Sequence, residues 1–168
     1  MSRFLIVIPA RYGSTRFPGK PLAKIGGEEM ILRVCRRAAL TGFDLLVATD
    51  DERIRRCVEN AGFDAVMTPS DLPNGTRRVC AALEITGRPE EYIINLQADE
   101  PFIDPSQIFL LADTFDDSSA QIATLARRFD PSEGFDTLRN PNNVKTVIDR
   151  QGRAMLFSRS VVPFVRGV

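Results

Sequence analysis

Phe4-Leu5-Ile6-Val7-Ile8-Pro9-Ala10-Arg11-Tyr12-Gly13-Ser14-Thr15-Arg16-Phe17-Pro18-Gly19-Lys20-Pro21-Leu22 joins an unbroken apolar run to a basic loop punctuated by glycine. The run Phe4 to Ile8, bounded by Pro9, predicts a strand buried on both faces, as in a parallel sheet. Ligands of open parallel sheets bind beyond the carboxyl ends of the strands, and this loop leaves from such an end. Gly13 and Gly19 let backbone N–H groups turn inward, while Arg11, Arg16 and Lys20 place three cationic heads on one short loop suited to clamping phosphate oxygens. A Walker loop needs four residues between its glycines and Ser or Thr after its lysine; here five residues separate Gly13 from Gly19, and Pro21 follows Lys20. There is no G-x-G-x-x-G turn for a dinucleotide either.

Outward from the loop, the pattern alternates. A helix is expected from Glu28 to Leu40, with Met30, Ile31, Val34, Cys35 and Ala38 on one face, followed by a second strand, Leu45 to Ala48. Asp50 or Asp51 caps the next helix, whose inner face is Ile54, Cys57, Val58 and Ala61 before Gly62 stops it. Strand, helix, strand implies a right-handed parallel crossover. Asp64 to Met67 reads as a third strand. Pro69 to Gly75 reads as a polar loop opening a helix through Val79, Cys80, Leu83 and Ile85. Tyr92 to Leu96 is a fourth strand, and Asp104-Pro105 supplies an N-cap and N1 proline for a helix through Ile108, Leu111 and Ala112. After a polar break come the apolar segment Ile122 to Ala126 and a polar loop to Asn143. Val144 to Ile148 and Ala154 to Phe157 then form a hairpin about a turn at Asp149 to Gly152. The expected class is α/β: a mostly parallel sheet flanked by helices, mixed toward the C-terminus, in one domain over residues 1–168.

Composition narrows the chemistry. With 168 residues, 43% of them apolar, the chain can bury one sizeable core. Zero formal net charge argues against nucleic acid or an anionic membrane as partner. Yet residues 1–40 carry eight Lys/Arg against two Asp/Glu, so the positive excess sits around the loop. Cys35, Cys57 and Cys80 lack metal-ligand spacing and fall among apolar residues, which reads as reduced core thiols in a cytoplasmic protein. The N-terminus lacks the pattern of a secretion signal, and no apolar run is long enough to span a membrane. The absence of histidine excludes Ser-His-Asp and Cys-His nucleophilic catalysis and His-ligated metals.

What remains is carboxylates, cations and a hard metal. Asp99, beside Glu100 at the end of the fourth strand, is the candidate Mg²⁺ ligand, since that ion takes few protein carboxylates and otherwise binds water and phosphate; a DE pair before proline also serves as a loop cap. The Gln97 amide, donor and acceptor at once, suits a base edge as well as loop backbone. Asn74-Gly75-Thr76-Arg77-Arg78 opens a helix with free N–H groups and two arginines, suited to an anion and equally explained in part as a helix cap. Asp50 and Asp51 read chiefly as caps.

The first loop, followed in order by Val47-Ala48-Thr49-Asp50, Asn74 to Arg78, Asn95-Leu96-Gln97-Ala98-Asp99-Glu100-Pro101, Asn142-Asn143-Val144-Lys145 and Phe157-Ser158-Arg159, resembles the motif series of the CMP-KDO synthetases, or 3-deoxy-manno-octulosonate (KDO) cytidylyltransferases. The related CMP-sialic acid synthetases usually carry Lys where Arg16 stands and Asn where Pro21 stands. The resemblance implies a nucleotidyltransferase-type, Rossmann-like fold in which Arg11 and Lys20 grip the CTP triphosphate with Ser14 and Arg16 nearby. It also implies that Pro9, Ala10, Thr76, Arg78 and Gln97 hold the nucleotide, Asp99 binds Mg²⁺, and Arg159 lies toward the sugar. By the same resemblance Arg11, Lys20 and Asp99 carry catalysis. The anomeric hydroxyl of KDO attacks the α-phosphorus, releasing pyrophosphate and giving CMP-KDO for lipopolysaccharide assembly in the cytoplasm. The sequence departs from the family at Ala98, where Gly is usual, and at Phe164-Val165-Arg166, where Trp-Asp-Arg commonly follows Pro163. Against the family's length, roughly the last third is expected to be missing, with a second metal-binding Asp, most of the sugar pocket and much of a homodimer interface. The alternatives implied are a silent CTP-binding fragment and a CMP-transferase for another acidic sugar such as sialic acid.

Overall fold

The structure, a computed structural model, describes residues 3–13, 17–116 and 120–163. By internal contact it forms two compact units, Met1–Ala123 and Thr124–Val168. The first is built on β1 (Phe4–Ala10), whose seven residues are all buried. The side chains of β1 alternate between two cores. Phe4, Ile6, Ile8 and Ala10 pack with Ile31, Val34, Ile54, Val58 and Ile108 on one face, while Leu5 and Val7 pack with Leu46, Ala48, Val79 and Ala82 on the other. That two-sided burial is what the unbroken apolar run predicts.

A 3-10 turn, Lys20–Leu22, precedes a short hairpin of β2 (Lys24–Ile25) and β3 (Glu28–Glu29), turning at Gly26-Gly27. Helix α1 (Met30–Ala39) starts with its apolar face at Met30, two residues later than the expected Glu28, because Glu28 and Glu29 are spent on the hairpin. β4 (Asp44–Thr49), α2 (Glu52–Asn60), β5 (Asp64–Met67) and α3 (Gly75–Thr86) follow. β6 (Tyr92–Asn95) stops one residue short of Leu96, and α4 (Pro105–Asp113) carries the expected Asp104 cap, completed to a capping box by Gln107. The sheet order is β5-β4-β1-β6, with every pairing parallel. From β1 the chain proceeds first to one side, through β4 and β5, and then to the other, at β6. The junction of β1 and β6 is thus the topological switch point, where such sheets take ligands.

Pro9 lies inside β1 rather than ending it. The carbonyls of Arg3 and Val7 accept from Tyr92 and Leu96, so odd-numbered residues of β1 face β6 with their backbone groups. The missing N–H of Pro9 points the same way, just where the β6 pairing has ended at Val7 and Asn95. The two strands part there.

Ile122 to Ala126 form no regular element, and Ile122, near the close of the first unit, is 90% exposed. The stretch expected to be loop holds a 3-10 turn, Pro131–Glu133, and the five-residue α5 (Phe135–Arg139), too short to show periodicity. The expected hairpin forms from β7 (Lys145–Ile148) and β8 (Ala154–Ser158), antiparallel and in a sheet of its own.

Candidate active site

Where β1 and β6 part, a cavity of about 710 Å³ opens. Its walls are Pro9, Ala10 and Arg11 from the end of β1, Lys20 from the 3-10 turn, Asn74, Gly75 and Arg78 at the start of α3, and Gln97, Ala98 and Asp99 after β6. Residues expected from the sequence, drawn from these four segments, thus line one cavity at the switch point. Gly75 eases the close approach of α3: a Cβ there would lie 3.2 Å from Pro9 Cγ, a tight contact, and 3.7 Å from Gln97 Oε1, an ordinary one. The first turn of α3 brings free N–H groups and the positive end of its dipole to the cavity, while the Asn74 side chain accepts from Arg77 N. The cap and the anion-suited terminus anticipated for Asn74 to Arg78 coexist. Gln97 turns its amide nitrogen to Asn95 Oδ1 at 3.0 Å.

The basic loop is drawn into a ring by Tyr12. Its backbone N–H donates to Asp50 Oδ1 at 3.0 Å, and its carbonyl accepts from Gly19 N at 2.9 Å. Gly19 has φ +70°, and a Cβ on it would meet the Tyr12 ring at 2.9 Å, so only glycine closes the loop this way. The Tyr12 ring also carries Arg53, whose guanidinium carbon is 3.5 Å from the ring centroid. Lys20 follows directly on Gly19, and its Nζ lies 2.6 Å from Asp99 Oδ2. Burial pushes the neighbouring Glu100 carboxyl above its ordinary range, with the charge of Asp99 adding to the effect.

Asp50 is not a helix cap. Asp51 caps α2, accepting from Arg53 N, and the Arg53 guanidinium beside it holds its carboxyl below the usual range. Asp50 instead pairs at 2.9 Å with Arg78, both nearly buried. Arg78 Nη1 also donates to Thr68 Oγ1 at 2.5 Å and to the Pro69 carbonyl at 3.2 Å. Nothing local announces this role: the partners of Asp50 lie 38 and 28 residues away. The one available hint was two consecutive acids before a helix that needs a single cap.

Other expected residues fall elsewhere. Ser14 and Arg16 lie outside the described residues, as do Phe164 to Arg166. Thr76 sits in the first turn of α3 but does not line the cavity. Arg159 belongs to the second unit, where its Nη1 donates to the Pro141 carbonyl at 2.7 Å. There Lys145 Nζ donates to the carbonyls of Asn140, Asn143 and Arg159 at 2.7–3.0 Å, joining the Asn142 to Lys145 motif to Ser158-Arg159.

Residues 5–167 match the cytidylyltransferase family profile. The chain belongs to the cytidylyltransferase family. The chain is 49% identical over 164 residues to a 3-deoxy-manno-octulosonate cytidylyltransferase of Porphyromonas gingivalis, covering 98% of the chain and 65% of that relative. The corresponding figures for a 3-deoxy-manno-octulosonate cytidylyltransferase of Bacteroides thetaiotaomicron are 46%, 98% and 66%. The chain spans about two thirds of the length of the curated relatives it matches. Among solved structures, a CMP:2-keto-3-deoxy-manno-octonic acid synthetase complexed with CTP superposes with a TM-score of 0.89 at 39% identity, covering 99% of the cytidylyltransferase chain and 68% of its own. No helix among the described residues is long and apolar enough to cross a membrane.

Proposed function

We propose that the chain carries the CTP site of a 3-deoxy-manno-octulosonate cytidylyltransferase, which transfers CMP from CTP to the anomeric hydroxyl of KDO and releases pyrophosphate. One observation carries the reading: Arg11, Lys20 and Asp99 line the same switch-point cavity as Arg78 and Gln97. The lining combines two cations and a carboxylate, suited to phosphate and metal, with the hydrogen-bonding groups of Arg78 and Gln97, suited to a base and ribose. Arg11 and Lys20 clamp phosphate oxygens and neutralise the charge that builds as the α-phosphorus is attacked. The first turn of α3 adds backbone donors. Transfer of this kind needs positioning and charge stabilisation more than a dedicated base, which suits a chain without histidine.

The residues fit Mg²⁺. Among the described residues no group of three or more acidic, Cys or His side chains stands ready to hold an ion. Asp99, half-exposed on the cavity wall, is the single-carboxylate donor to which an ion arriving with a triphosphate is suited. Bound there through Asp99, the ion supplies Lewis-acid neutralisation of phosphate oxygens. Ser14 and Arg16 belong to the same phosphate loop in this reading, Pro9, Ala10 and Thr76 to the nucleotide site, and Arg159 to the sugar side. A cytoplasmic homodimer, serving lipopolysaccharide assembly, completes the proposal.

The test is pyrophosphate release from CTP, Mg²⁺ and KDO, run on the chain and on a full-length relative, with calorimetric titration of CTP alongside. Release dependent on KDO, with sialic acid inert, is the expected result. CTP binding without release would assign the chain nucleotide binding only, and absence of CTP binding would overturn the proposal for this chain.

A further inference from the structure

We infer that Asp50 is a positioning residue for both ends of the nucleotide site, acting from behind the cavity through Tyr12 and Arg78. Asp50 is not among the cavity-lining residues. Its two carboxylate oxygens are divided: Oδ1 accepts the backbone N–H of Tyr12 at 3.0 Å, and Oδ2 accepts Nη2 of Arg78 at 2.9 Å. From Tyr12 the chain of contacts runs on, since its carbonyl holds Gly19 N at 2.9 Å and Lys20 follows directly. Arg11, the preceding residue, is fixed by the same hold on the Tyr12 backbone. One carboxylate thereby sets the places of both phosphate-side cations, Arg11 and Lys20.

The other oxygen sets Arg78. Nη1 of that guanidinium spends its donors on Thr68 Oγ1 and the Pro69 carbonyl, and Nη2 spends one on Asp50. A guanidinium has five N–H groups, so Nε–H and one Nη2–H are left without an acceptor in these contacts, on a residue that lines the cavity. Thr68 closes the circuit: its hydroxyl accepts from Arg78 and donates to the Thr49 carbonyl at 3.0 Å, one residue before Asp50. Three acceptors on two of its nitrogens fix the plane of this guanidinium on the cavity wall. The arrangement couples the phosphate end to the base end through a side chain that touches neither.

The inference rests on the CTP reading above, and its test separates the two. Binding of MgCTP and of magnesium tripolyphosphate, a probe without base or ribose, is measured calorimetrically on the 168-residue chain and its variants. Arg78→Lys is expected to weaken MgCTP and leave tripolyphosphate unchanged. Asp50→Leu is expected to weaken both ligands, on the order of 10- to 100-fold, as loss of an orienting partner does elsewhere. A double variant, Asp50→Leu with Arg78→Met, guards against misfolding, because it leaves no unpaired buried charge. It is expected to unfold near the wild-type midpoint and still bind tripolyphosphate more weakly than wild type. Wild-type affinity for tripolyphosphate in both Asp50 variants would overturn the positioning role. A wild-type chain that binds tripolyphosphate but not MgCTP overturns the cytidylyl reading and leaves the Asp50 comparison intact; one that binds neither overturns both.

Discussion

Lys20 Nζ and Asp99 Oδ2 stand 2.6 Å apart across the cavity, joining two residues 79 positions apart in sequence that the proposed chemistry assigns to different partners, phosphate and metal. Without ligand, each satisfies the other's charge. A bare divalent ion must displace an ammonium group to reach Asp99, whereas a metal–triphosphate complex brings oxygens for Lys20 and a cation for Asp99 together. Both side chains are roughly half exposed, so the pair itself adds little to stability.

Lys20→Met is therefore expected to change metal and nucleotide binding in opposite directions. In the nucleotide-free protein, Mn²⁺ binding followed by electron paramagnetic resonance becomes tighter. MgCTP affinity falls about 10- to 100-fold, the usual scale for a lost hydrogen bond to a charged group. Unchanged Mn²⁺ affinity would show that the pair does not compete with the ion.

Gly19→Ala places a methyl group 2.9 Å from the Tyr12 ring at a backbone φ of +70°, a strain of about 1–3 kcal/mol. The exposed loop relaxes by opening, which releases Lys20 from its place. MgCTP affinity is expected to drop about tenfold, one decade for each 1.4 kcal/mol lost, while the thermal midpoint moves little. Retention of full affinity would mean that the Gly19–Tyr12 contact is not needed to set Lys20.

Asp51→Ala removes the cap of α2 and is expected to cost about 1 kcal/mol in urea unfolding at neutral pH. Arg53 and the Arg53 backbone N–H lower the folded-state pKa of Asp51 below its unfolded value. The cap contribution is then fully present above the unfolded carboxylate range, near pH 4, and is lost as pH falls through the lower folded value. The gap between wild type and variant should close on acidification below about pH 4. A gap independent of pH would assign the loss to something other than the charged cap.

Cys35, one of the buried residues of α1, lies in the core, and burial pushes its thiol up to about 12. In the folded protein at pH 8 it should resist iodoacetamide and become alkylated only in denaturant, as peptide mass mapping would show. Labelling at the same rate in both conditions would contradict the packing of α1.

The parts of this molecule that can be read from sequence are those with a local cause. Phe4 to Ile8 announces a two-sided strand because five neighbours share one property, and Asp104-Pro105 announces a helix start because cap and N1 proline are adjacent. Asp99 and Lys20 were placed at strand ends, and strand ends converge. The β2–β3 hairpin escaped notice because strands of two residues have no period, and α5 because five residues make little more than one turn. Asp50 is illegible for another reason: its position beside a helix start suggests a cap, while its partners come from two other segments of the chain.

Pro9 carries a consequence for the chain before it is ever folded and at every moment it is partly open. Any other residue there would hold out an N–H that a passing extended segment, from this molecule or another, can take, extending the ladder across the crevice. Proline withholds that donor on the cavity wall, just past the last β1–β6 pair. The backbone donor missing at Pro9 thus leaves this stretch of the crevice wall without the N–H that could template an added strand.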